Sequence, residues 1–130
     1  MVHALNKGKA GEREFCDWLK TNLSIVTSRN LDQAREGGAD VTTDDFLFEV
    51  KRRETLALKD WWLQVKVAHN QPRNNHLIPI VCYRQNRKKW QFLIPATYLG
   101  LEKGFIHLEE DVFKRWAEGI VKGLGESKPI

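Results

Sequence analysis

The chain has 130 residues and a mass of 15.1 kDa, the size of one compact domain, with five Trp, six Phe and two Tyr to fill its core. Its longest apolar run, residues 77–83, falls far short of the roughly 20 residues of a membrane span, and Cys16 and Cys82 show neither CxxC nor Cys/His spacing. These features argue against a membrane protein, a disulfide scaffold, a zinc knuckle and an iron–sulfur protein. The first residues turn charged at once with no apolar signal core, so a soluble, reducing, cytoplasmic setting is expected, with no membrane partner and no organic cofactor. The net charge of +4 is unevenly placed. Residues 61–101 contain no Asp or Glu but six basic residues, Lys66, Arg73, Arg84, Arg87, Lys88 and Lys89. A positive face for a polyanion and a separate cluster of carboxylates would both follow from that segregation; a solvated basic loop is the plainer account.

In chain order, Asn6 is read as the cap of a helix running to about Asn22, with Phe15, Trp18, Leu19 and Leu23 on its buried face. Residues 24–29, with β-branched Ile25 and Val26, read as a short strand, and residues 30–38 as a polar loop ending in Gly37-Gly38. Residues 39–42 and 46–52 read as two strands joined at hairpin length. Asp60 is expected to cap a helix over residues 61–69. Strands follow at 77–84 and 89–94, joined by a basic tip at residues 85–88. After them come a helical turn near 96–99, a small strand at 105–108 and a helix over about 109–121. That last helix is read with Val112, Phe113, Trp116 and Ile120 inward, followed by a frayed tail from about 123. Of the adjacent Trp61 and Trp62, at most one is expected in the core. The whole is one α/β domain, with a central mixed sheet of about five strands flanked by helices.

Three carboxylates and a lysine stand apart from this scaffold. Side chains alternate along residues 46–52, so Phe46, Phe48 and Val50 point one way and Leu47, Glu49 and Lys51 the other. Charges on a central strand are costly unless paired or used; an edge-strand ion pair is the ordinary explanation for Glu-x-Lys alone. Asp40 follows Gly37-Gly38-Ala39 and, on a paired strand, brings a second carboxylate towards Glu49. Two such oxygen donors suit Mg²⁺ or Mn²⁺, although a turn role for Asp40 also fits the glycines. Glu12 lies within roughly 20° of Leu19 on the first helix, on its buried side, after Gly8 and Gly11, which leave room for a backbone or a phosphate to approach. Serving the helix dipole is the alternative for Glu12, and the ordinary role for Glu14.

These residues resemble the PD-(D/E)XK nucleases: Glu12, then Gly-Gly-Ala-Asp40, then Glu49-Val50-Lys51, with Gly-Ala-Asp in place of Pro-Asp. The run Lys7-Gly8-Lys9-Ala10-Gly11-Glu12-Arg13-Glu14 is similar to the first helix of archaeal-type Holliday junction resolvases, and residues 29–40 to small phage nucleases of that group. The resemblance is carried by residues 6–70. It implies a restriction-endonuclease-like fold and a homodimeric, Mg²⁺- or Mn²⁺-dependent endonuclease that cuts branched DNA. For a phage protein the setting would be the host cytoplasm. It also implies metal ligation by Asp40, Glu49 and Val50, with Glu12 direct or through water, and Lys51 as the catalytic lysine. Gln64 stands where related nucleases often place a glutamine near the metal. The archaeal enzymes often carry a serine before the Asp, which Ser28 does not clearly match.

Lys7, Lys9, Arg13, Arg29, Arg35 and Arg53 flank the site as phosphate contacts, which position DNA without reading it. Arg84, Arg87, Lys88 and Lys89 form a second patch, suited to another junction arm. Arg52, on the opposite strand face from Lys51, is expected on a phosphate or a structural acid. Action on flaps, single strands or plain duplex is the alternative within nucleases. A non-catalytic DNA-binding protein on the same scaffold is the alternative outside them, and a structural phage or chromosome protein a third.

Overall fold

Two aromatic clusters, one on each face of a five-stranded sheet, organise the molecule. The structure, a computed structural model, describes residues 2–27 and 40–123, and only the backbone of residues 2–9. Helix α1 (Val2–Leu23) leads into β1 (Val41–Thr42) and β2 (Phe46–Arg52). Helix α2 (Leu58–His69) crosses over to β3 (Ile78–Arg84), followed by β4 (Gln91–Pro95), a 3₁₀ turn (Ala96–Leu99), β5 (Phe105–Glu109) and helix α3 (Glu110–Val121). The strands lie in sequence order; β2 and β3 are parallel and the other neighbours antiparallel, so the sheet is mixed as expected.

Strand alternation decides which cluster each side chain joins. Phe46, Phe48 and Val50 meet α1 and α3 through Phe15, Trp18 and Phe113, while Leu47 meets α2 through Trp61, Trp62 and Val65. Phe15 is the hub of the first cluster, edge-on to Phe48 at 4.7 Å and to Trp90 at 5.1 Å, and Phe92 and Phe113 stack at 3.8 Å between ring centres. Among the described residues no helix is long and apolar enough to cross a membrane.

Several local expectations are corrected. Helix α1 already runs from Val2, so Asn6 is not its cap; the residues before it carry no Gly or Pro to stop the helix. Residues 24–27 form no strand. Ser24 is left-handed (φ 57°) and the Ile25 amide turns back to the Leu19 carbonyl, so Ile25 packs at the helix end instead of extending. Residues 28–39 and 124–130, including the expected loop, most of the tail and Ser28, lie outside the described residues. Helix α2 starts at Leu58 with Ala57 at the cap position, and Asp60 sits inside its first turn, where it favours the helix dipole. Strand β4 begins at Gln91 because the Trp90 amide is taken by Glu110 Oε1 (2.9 Å).

Trp61 and Trp62 are both buried on one face, reaching different strands: Trp61 meets Tyr83 of β3 and Trp62 meets Phe105 of β5. Val112 is 51% exposed; the inward stripe of α3 is Phe113, Trp116, Ala117 and Ile120, which keeps helical spacing without it.

Candidate active site

The β1–β2 ladder is two residues long, and the chain before it carries Asp40 across from the second half of β2. There the Asp40 amide donates to the Phe48 carbonyl (3.0 Å), and the Val50 amide donates to Asp40 Oδ2 (2.8 Å). A carboxylate thus takes the place of a ladder partner and is held beside Glu49, close enough for the two carboxyl groups to share a hydrogen bond. Lys51 Nζ lies 3.4 Å from Glu49 Oε2, and both side chains are only 12% exposed.

Burial is the main force on both acids. It raises Asp40 above its usual range against the Val50 amide and Lys51, and it pushes Glu49 up to about 7, helped by repulsion from Asp40 and opposed by Lys51. Lys51, with a weaker pull of Arg53 on Asp40, does not compensate two crowded carboxylates. This hard-oxygen donor set, short of positive charge, fits a divalent cation. The buried Cys82 thiol, which points at the Glu49 carbonyl (3.6 Å), is held well above its usual pKa by burial and by the same two carboxylates; it stays protonated.

The structure therefore brings together Asp40, Glu49, Val50 and Lys51. Among the described residues, no three His, Cys, Asp or Glu side chains converge as a metal cluster, so half-buried Glu12 is not gathered with the pair as a third direct donor. Gln64 is exposed on α2, Arg13 is exposed on α1, and Arg53 is exposed just beyond β2, near enough to act on Asp40. The side chains of Lys7 and Lys9, and all of Arg29 and Arg35, lie outside the described residues. A larger groove, about 660 Å³, lies at the opposite end of the strands among Leu77, Pro79 and Pro95, away from these acids.

Other parts of the surroundings had no signal in the sequence. Tyr83 is the register neighbour of Lys51 on β3 and is buried; its hydroxyl lies 3.2 Å from His107 Nε2, linking the row beside the site to β5. On the other face, the structural acid expected for Arg52 is Glu14. Glu14 Oε1 is 2.7 Å from Arg84 Nη1 and 3.6 Å from Arg52 Nε, while Arg52 donates to the Arg84 carbonyl and to Asn86 Oδ1. Arg84 is thus engaged inside the molecule. The space at Gly11 admits neither a backbone nor a phosphate but the stem of Arg52: a Cβ there would lie 2.5 Å from Arg52 Cγ. Gly11→Ala is expected to destabilise by about 1–3 kcal/mol through overpacking, outweighing the roughly 1 kcal/mol that helix propensity alone would add. Denaturant unfolding checks it; a variant as stable as the parent would mean that α1 does not pack this closely on β2.

The family model described as "Phage putative PDDEXK endonuclease" matches residues 4–115. The chain belongs to this family. It is a PD-(D/E)XK nuclease of the phage branch, as the motif residues implied. Among solved structures, the chain matches Hjc of Archaeoglobus fulgidus, a Holliday junction resolvase from an archaeal hyperthermophile. The identity is 22%, over 82% of this chain and 86% of that one, with a TM-score of 0.45. No curated protein matches the sequence.

Proposed function

We propose that this nuclease is a metal-dependent endonuclease that hydrolyses phosphodiester bonds in branched DNA, resolving four-way junctions by paired cuts from a homodimer. The observation that carries the catalytic part is the buried Asp40–Glu49 pair with Lys51 beside it, an arrangement short of positive charge. Asp40, Glu49 and the main chain of Val50 would hold Mg²⁺ or Mn²⁺, with Glu12 acting through water. Such a cation supplies acidification of a water and neutralises the charge that builds on the phosphorane. Lys51, anchored by Glu49, orients the attacking water and adds positive charge beside the scissile phosphate. Arg13 and Arg53, with Lys7, Lys9, Arg29 and Arg35, position the backbone, and Gln64 supports the site from α2.

Two opposed cuts in one junction need two sites related by a two-fold axis, which is why the active species is a homodimer. The test is incubation with Mg²⁺ and a labelled immobile four-way junction, beside a linear duplex and splayed arms, with sedimentation of the complex in EDTA. Paired symmetric nicks in the junction, duplex spared and two chains per junction are expected. Equal cutting of all three substrates by a monomer would overturn the junction assignment and leave a nuclease of broader substrate range.

A further inference from the structure

The proposed catalytic residues occupy one face of the sheet, and a cluster of exposed cations lies on the other. Along β2, Glu49 and Lys51 share the α2 face with Leu47; Arg52 and its register partner Arg84 point to the α1 face. Just beyond Arg84 the chain reverses through a tip in which Arg87 is left-handed (φ 62°) and the Lys88 amide donates to the Gln85 carbonyl. A cleft of about 400 Å³ opens there, between Trp18 and Trp90, edged by Arg84, Arg87, Lys88 and Lys89.

Both carboxylates of the cleft are already engaged. Glu14 is held by Arg84 and Arg52, and Glu110 accepts from the Trp90 amide. Arg87, Lys88 and Lys89 are exposed, and no carboxylate of the described residues lies within ion-pair distance of them. Trp18, in the wall, has a buried indole N–H with no acceptor among the described residues. The acid-free stretch of the sequence therefore ends as a cationic cleft, placed at the same strand ends as the active site but across the sheet from it.

We propose that this cleft is a second phosphate-backbone site, and that it selects branched over linear DNA. The inference rests on the nuclease reading. A duplex whose scissile phosphate sits at Asp40, Glu49 and Lys51 lies against the α2 face, and the cleft is separated from it by the sheet and its side-chain layers, roughly 10 Å or more. A second arm leaving a branch point reaches round the strand ends and occupies the cleft. Its binding is then an intramolecular event that raises affinity for the branched substrate alone.

The test compares the parent with a triple variant, Arg87→Gly, Lys88→Ala and Lys89→Ala; glycine at the left-handed position avoids backbone strain. Dissociation constants are measured in EDTA for a four-way junction and for linear duplex of the same sequence, across a salt series. The variant is expected to bind the junction about 10- to 100-fold more weakly, with a salt slope smaller by about 2–3, and to bind duplex within about twofold of the parent. An equal loss on both substrates, no loss on either, or a parent that does not prefer the junction would each overturn the proposal. Because no cleavage is involved, a protein that cuts nothing would refute the nuclease reading without touching this result.

Discussion

Glu49→Gln and Asp40→Asn are each expected to lower DNA cleavage by about a thousandfold or more, the scale on which a transition-state charge loses a dedicated partner. Binding of uncut DNA is expected to be unchanged or tighter. Both parts of the expectation follow from the same charges. Asp40 and Glu49 face each other across the start of the β1–β2 ladder, with Lys51 and the weaker pull of Arg53 not enough to offset them, so without a cation they repel a phosphodiester. Removing either carboxylate relieves that repulsion and also removes one of the two carboxylates that would hold Mg²⁺. Rates and dissociation constants measured on the same labelled junction separate the two effects. Turnover at the parent's rate in either variant would eliminate the metal site.

The second large effect is on stability and has an unusual sign for a carboxylate. Burial and Asp40 hold Glu49 up to about 7 from 4.5, and Asp40 is raised as well, so between those values the folded chain binds more protons than the unfolded one. The contribution of these groups is therefore present below about pH 4.5 and is lost as the pH rises towards 7, levelling off above it. At pH 8 the metal-free fold carries a penalty on the order of 3 kcal/mol from Glu49. Glu49→Gln is expected to be more stable than the parent at pH 8 and to lose most of the slope between pH 5 and 7. Millimolar Mg²⁺ should stabilise the parent at pH 8 and do less at pH 5, where Glu49 is protonated. Thermal unfolding at several pH values, with EDTA or Mg²⁺, gives all of these readings. A Glu49→Gln variant less stable than the parent at pH 8 would contradict the account.

The sequence made the active-site face legible because a strand has an exact parity: once Phe46 and Phe48 were placed inward, Glu49 and Lys51 had to share the other face. Asp40 was reachable because it lies nine residues earlier on a strand of hairpin spacing, and the mixed sheet followed from the order of apolar runs. What escaped has no local signal. Glu14 and Arg84 are 70 positions apart and meet only because β3 passes under α1, so an acid fit for the helix dipole proves to be a brace, and an arginine fit for DNA proves to be its partner. The closeness of Gly11 to Arg52 and the bond between Tyr83 and His107 are of the same kind. Trp61 and Trp62 misled because helical spacing says which way a side chain leaves, not how far two indoles reach across separate strands.

Everything proposed for the chemistry depends on Asp40 and Glu49 holding a divalent cation beside Lys51. Anomalous diffraction from crystals of the protein grown with Mn²⁺ tests it most directly. A peak is expected within bonding distance of a carboxylate oxygen of Asp40, a carboxylate oxygen of Glu49 and the Val50 carbonyl, absent in crystals of Glu49→Gln. Peaks only elsewhere on the surface, or an empty Asp40–Glu49 pair at saturating Mn²⁺ above pH 7, would contradict it.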